Sequence, residues 1–193
     1  MQNNMRGNRR GESNLWKGLA AGIIGGLAGG FVMNRFQSFW SDLTGDEKDS
    51  ERAHSPKQSG QKLNDGERQR SDDGIDAPAT VKLASAISEG VFDHELEKGE
   101  KEPAGTAIHY GFSLVTGGIY GLAAELAPVA VAGSGAPFGA AVWLIADQIT
   151  LPLAGLSKGP TEYPLSKHLY SLASHCVYGV ATEAARRAVR GLL

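Results

Sequence analysis

The chain has 193 residues, 41% of them hydrophobic, and 19 basic against 21 acidic residues leave a net charge of −2 at pH 7. Its mean hydropathy of −0.21 would suit one soluble domain if the polar residues were spread evenly. They are not: residues 41–102 hold 16 acidic and 9 basic side chains and the rest of the chain 5 and 10, so an acidic insert is averaged with apolar, Gly-rich flanks.

Residues 1–17 form a basic tail, with Arg6, Arg9, Arg10 and Lys17 ahead of an apolar run. Such a start resembles a secretory signal, but no small-residue cleavage pattern follows over residues 29–40, so the run is expected to stay as an anchor. Residues 18–34 carry no charge and are expected to be the first transmembrane helix; seventeen residues at about 1.5 Å each cover roughly 25 Å. Trp16, Phe39 and Trp40 flank it as interfacial aromatics. Gly18, Gly22, Gly26 and Gly30 recur every four residues, with Gly25 and Gly29 as a second row. This glycine zipper would let another helix approach closely, so it is the expected face for a second copy of the chain or another membrane protein.

Residues 41–78 are rich in Ser, Asp, Glu, Lys, Gln and Gly and are expected to be a disordered acidic linker. Residues 79–96 then read as a short amphipathic interfacial helix, capped by Thr80, with Leu83, Ile87 and Val91 on one face. Three further apolar stretches follow, at 105–126, 137–156 and 165–189. They are separated by Pro128 with Gly133-Ser134-Gly135, and by the segment 157–164. Pro152 should kink or end the second of them.

The expected fold is therefore all-α: an integral membrane four-helix bundle with a disordered acidic loop and one amphipathic helix. Basic residues are denser in the two tails than in the short loop holding Lys158 and Lys167. An even number of spans puts both tails on one side, and the positive-inside rule makes that side cytoplasmic.

Ionisable groups at depth demand partners. On the last stretch, His168, Ser171, Leu172, His175, Gly179, Thr182, Glu183 and Arg186 share one stripe that must face other helices. Counting from the ends places His109 and His168 at the outer surface. Glu125 and Glu183 fall at the inner end, where Arg186 and Arg187 can neutralise both. Asp147 and His175 fall near the midplane, where they are expected to pair. This cluster of Asp147, His175, Glu183, Glu125, His109 and His168 reads either as hydrogen-bonding glue between helices or as a proton or ion path.

A metal site on His109, His168 and His175 lacks ligand spacing, so no metal and no cofactor are expected. The single cysteine, Cys176, excludes an intramolecular disulfide. No catalytic residue stands out: Ser174, His175 and Cys176 fall on different helix faces. The glycines lack a P-loop ending, and no nucleic-acid motif accompanies the basic residues. The lipid bilayer is the partner that the residues do imply.

The segments 109–128, 135–160 and 168–187 resemble the YagU-like family of bacterial inner-membrane proteins. The resemblance is carried by His109, Tyr120 and Glu125, then Asp147, Pro152 and Gly155-Leu156, then His175, Glu183 and Arg186-Arg187. It covers about the C-terminal half, and the insert over 41–78 departs from it. It implies a multi-pass protein of the bacterial inner membrane and no particular chemistry. Three function classes stay open: a non-enzymatic membrane protein of structural or stress-related role, a small transporter or proton-handling protein, and a membrane metal protein or enzyme.

Overall fold

The computed structural model describes the backbone of residues 2–44 and 77–193, and side chains from Asn14 onward within them. The acidic linker expected over 41–78 therefore lies, apart from its two ends, outside the described residues. Helices account for nearly all of the rest. They are α1 (Gln2–Thr44), α2 (Ala79–Phe92), α3 (Lys98–Leu126), α4 (Ala136–Trp143) and α5 (Leu165–Leu192). A 3-10 segment, Pro128–Gly135, leads into α4, which continues through a π-helical turn, Leu144–Thr150, to a last turn at Leu151–Leu153.

Several boundaries differ from expectation for local reasons. No proline interrupts Gln2–Thr44, so α1 extends beyond 18–34 on both sides and includes the basic tail. α3 starts at Lys98 and not at 105; Pro103 costs it the hydrogen bond to the carbonyl four residues earlier but does not stop it. α2 ends at Phe92, short of 96, because Asp93 turns left-handed (φ 51°). Its N-cap is Pro78, with Thr80 already inside the helix. The stretch expected to reach 156 stops at Leu153, one residue after Pro152, and Gly155 follows at φ +70°. α5 runs to Leu192, past the expected 189.

Two stretches are long and apolar enough to cross a membrane: Asn14–Thr44, with mean hydropathy 1.4, and Pro128–Leu153, with 1.7. The described chain forms two compact units. One comprises residues up to Gln37 together with Tyr110–Leu193; the other is Ser38–His109.

In the first unit the helices meet through backbone. A Cβ on Gly22 would stand 2.3 Å from the Gly117 carbonyl, and one on Gly26 2.2 Å from that of Ser113, so only hydrogen fits where α1 crosses α3. Gly18 faces Gly121 and Glu125 in the same way. The second row serves α5: Gly25 lies against Thr182 and Arg186, and Gly29 against Tyr178 and Thr182. Gly135 and Gly139 of the α4 region oppose Gly179 and His175 of α5. Gly30 is buried as well. The row assigned from sequence to an outside partner is thus engaged at Gly18, Gly22 and Gly26 by the chain's own α3. A small apolar cluster of Met33, Phe138, Val142 and Tyr178 fills the centre, with Tyr120 stacked on Phe138 at 4.2 Å.

In the second unit Val81 of α2 packs on Gly105 of α3. The bend after α2 is tied by Ser88 Oγ, which donates to the His94 carbonyl, and by His94 Nε2, 3.1 Å from Glu100.

Candidate functional site

The close approach of α4 to α5 brings the polar stripe of α5 against the π-helical turn. A π-turn holds one residue more than an α-turn and widens the helix locally, and its carbonyls need their own partners. Thr150 supplies one, its Oγ1 donating to the Ile145 carbonyl five residues back at 2.8 Å. Within this turn Asp147 is aimed at α5.

Ser171 Oγ donates to Asp147 Oδ2 at 2.6 Å. His175 Nδ1 stands 2.8 Å from the Ser171 carbonyl and 3.8 Å from the same Asp147 oxygen. A carbonyl accepts only, so Nδ1 carries a proton and donates it to the Ser171 carbonyl. The expected pairing of Asp147 with His175 is therefore a close contact, while the hydrogen bond goes to Ser171. Helical side chains lean toward the N-terminus, so His175 reaches back one turn and Ser171 occupies the level of the carboxylate. Ser171 is six residues into α5, roughly 9 Å from its start.

His168 sits beyond this group. Its Nε2 donates to the Pro160 carbonyl at 2.7 Å, and the rings of Trp143 and Tyr163 meet it edge-on, with centroids at 6.5 and 6.3 Å. Trp143 Nε1 is buried without an acceptor among the described residues. Deeper along α5, Tyr178 bonds to Thr116 Oγ1 at 2.8 Å and donates to the Ser113 carbonyl at 3.1 Å, linking α5 to α3.

At the far end Glu183 is 1% exposed and is gripped by Arg186 through Nε at 2.6 Å and Nη2 at 3.0 Å, and by Arg187 Nε. Arg186 and Arg187 bond to Glu183, as expected, whereas the hydrogen bonds of Glu125 go elsewhere. Glu125 pairs with Arg190, at 2.6 and 3.3 Å, and Arg190 also donates to Asn14 of α1. That carboxylate holds the Arg190 guanidinium above its ordinary range. The reason is register: Arg190 lies one turn beyond Arg186, level with the end of α3.

The structure thus joins Asp147 with His175, and Glu183 with its own arginines. His109 falls in the second unit. Among the described residues no three His, Cys, Asp or Glu side chains converge as a metal ion requires. Sequence reasoning missed the partners Ser113, Thr116 and Arg190 and the roles of Ser171 and Thr150. Of these, Ser171 alone carried a signal, since it lay on the polar stripe.

Residues 86–184, just over half of the chain, match the family described as Protein of unknown function (DUF1440), and the chain belongs to that family. The match takes in Asp147, Ser171, His175 and Glu183. No curated protein and no solved structure matches the chain.

Proposed function

We propose that this member of the DUF1440 family is an integral membrane protein in which 18–34, 105–126, 137–156 and 165–189 all cross the bilayer. Both tails lie on the cytoplasmic side, and the polar groups serve to hold the helices together in a non-enzymatic, structural role.

One observation carries the reading: in the first unit, polarity is arranged inside out. Water drives apolar side chains inward and leaves charge at the surface. Here Phe31, Ile119 and Ile145 are 51%, 61% and 59% exposed, whereas Ser174, Thr182, Glu183 and Arg186 are buried. A core helix of a water-soluble protein has most of its apolar window inside. The two apolar windows have 39% and 11% of theirs inside. In hydrocarbon the same distribution is the favourable one, because lipid solvates the outer face and polar groups must find partners within. The bacterial inner membrane is supported by the likeness to the YagU-like family and by the basic residues of both tails.

The test is fractionation and topology. Expressed with a reporter at either end, the protein should stay in the membrane pellet through carbonate extraction, and both reporters should face the cytoplasm. Recovery in the soluble fraction would refute the membrane reading, and ends on opposite faces would refute the four-span arrangement. A second reading, a small transporter or ion-handling protein, is favoured by Asp147, whose carboxylate has no arginine or lysine partner among the described residues.

A further inference from the structure

We propose that Asp147, with Trp143 four residues before it on the same helix and the His168 ring edge-on to that of Trp143, forms a binding site for a small protonated amine. The inference rests on the membrane reading above and deepens its second form.

The two glutamates of the spanning helices are matched: Glu183 has Arg186 and Arg187, and Glu125 has Arg190. Asp147 differs. Its side chain is 27% exposed, Oδ2 accepts one hydrogen bond from Ser171, and Oδ1 has none among the described residues. The nearest group able to carry positive charge is His175, whose Nδ1–H is already given to the Ser171 carbonyl. An ionised carboxylate has about four acceptor positions, and within a spanning segment each vacant one is costly. The site is therefore short of a cation that brings its own N–H donors.

Its chemistry selects among cations. A calcium-like ion asks for about six to eight oxygens and zinc for four nitrogen, sulfur or oxygen ligands, and the convergent ligands are too few. An alkylammonium needs less. One carboxylate gives it a charge-assisted hydrogen bond, and aromatic rings stabilise its charge. The rim already holds one such contact, the Lys167 ammonium lying 6.0 Å from the centre of the Tyr163 ring. Exposed Leu144, three residues before Asp147 on the same helix, would take an alkyl tail.

The experiment is calorimetric titration of the purified full-length protein in detergent with hexylammonium chloride. Sodium chloride at equal ionic strength and neutral hexanol serve as competing probes. Saturable binding of hexylammonium alone is expected. Asp147→Asn should weaken it roughly tenfold or more, and Asp147→Glu should retain it. Equal binding by Asp147→Asn, or binding of hexanol as tight as that of hexylammonium, overturns the proposal. If Asp147→Asn does not fold, Trp143→Leu decides: it leaves the carboxylate in place and should weaken binding several-fold, and unchanged affinity refutes the site. A protein that stays in membranes yet binds no amine removes this inference and leaves the membrane reading intact.

Discussion

Adding one methyl group at Gly22 should loosen the bundle, whereas adding one at Gly111 should not. A Cβ at position 22 would lie 2.3 Å from the Gly117 carbonyl oxygen and 2.7 Å from the Gly121 Cα, against an ordinary contact of at least 3.4 Å. Both obstacles are backbone, so no rotamer change relieves them and α1 must move off α3 by roughly 1 Å. A gap of that size forfeits about a quarter to a half of the dispersion attraction across the seam. Overpacking of this kind costs about 1–3 kcal/mol, which is the loss expected for Gly22→Ala. Gly111 lies on α3 as well, but a Cβ there meets nothing within 4 Å. Gly111→Ala should be neutral or stabilise by up to about 1 kcal/mol through helix propensity alone. Both variants can be compared with the parent by unfolding in detergent. Equal stability of the two variants would refute the close-approach account of the glycine row.

Three further outcomes are expected. Glu183→Ala strips buried Arg186 of its carboxylate and should destabilise by about 3–5 kcal/mol, while Glu183→Ala with Arg186→Met should recover part of that; a double variant less stable than the single would contradict the pairing. Thr150→Val removes the donor to the Ile145 carbonyl and should cost about 0.5–1.5 kcal/mol in the same assay, and an unchanged midpoint would show that the π-turn needs no such tie. Glu100 is held below the usual carboxylate range, first by the Glu97 N–H and then by His94. Its contribution is present above the ordinary glutamate range and lost as pH falls through the lowered value. Amide-exchange protection at Glu97 should therefore drop between pH 6 and pH 3, and equal protection at both would rule the interaction out.

The inward face of α5 was legible because a 3.6-residue period is a property of sequence alone: Thr182, Glu183 and Arg186 fall on the stripe and are buried. The glycine rows were legible for the same reason, although their partners were not. Which helix fills a row depends on crossing geometry between segments far apart in the chain. Arg190 escaped notice because choosing between it and Arg186 for Glu125 requires the axial offset of α3 against α5. The π-turn escaped notice because one extra residue in a turn leaves no trace in composition. The end of α2 at Asp93 was hidden in a left-handed residue that is not glycine.

The seam between α1 and α3 also sets an order of events during synthesis. Gly26 and Gly117 are separated by roughly ninety residues, so at about 5–20 residues per second α1 waits some 5–20 seconds for its partner. Through that interval its bare glycine backbone is open to whatever helix lies nearby. The last helix carries no such delay: Glu183 closes on Arg186 and Arg187 within about one turn of its own helix. The vulnerable moment in building this protein is therefore early, and the step that ends it is the arrival of Gly117 and Gly121.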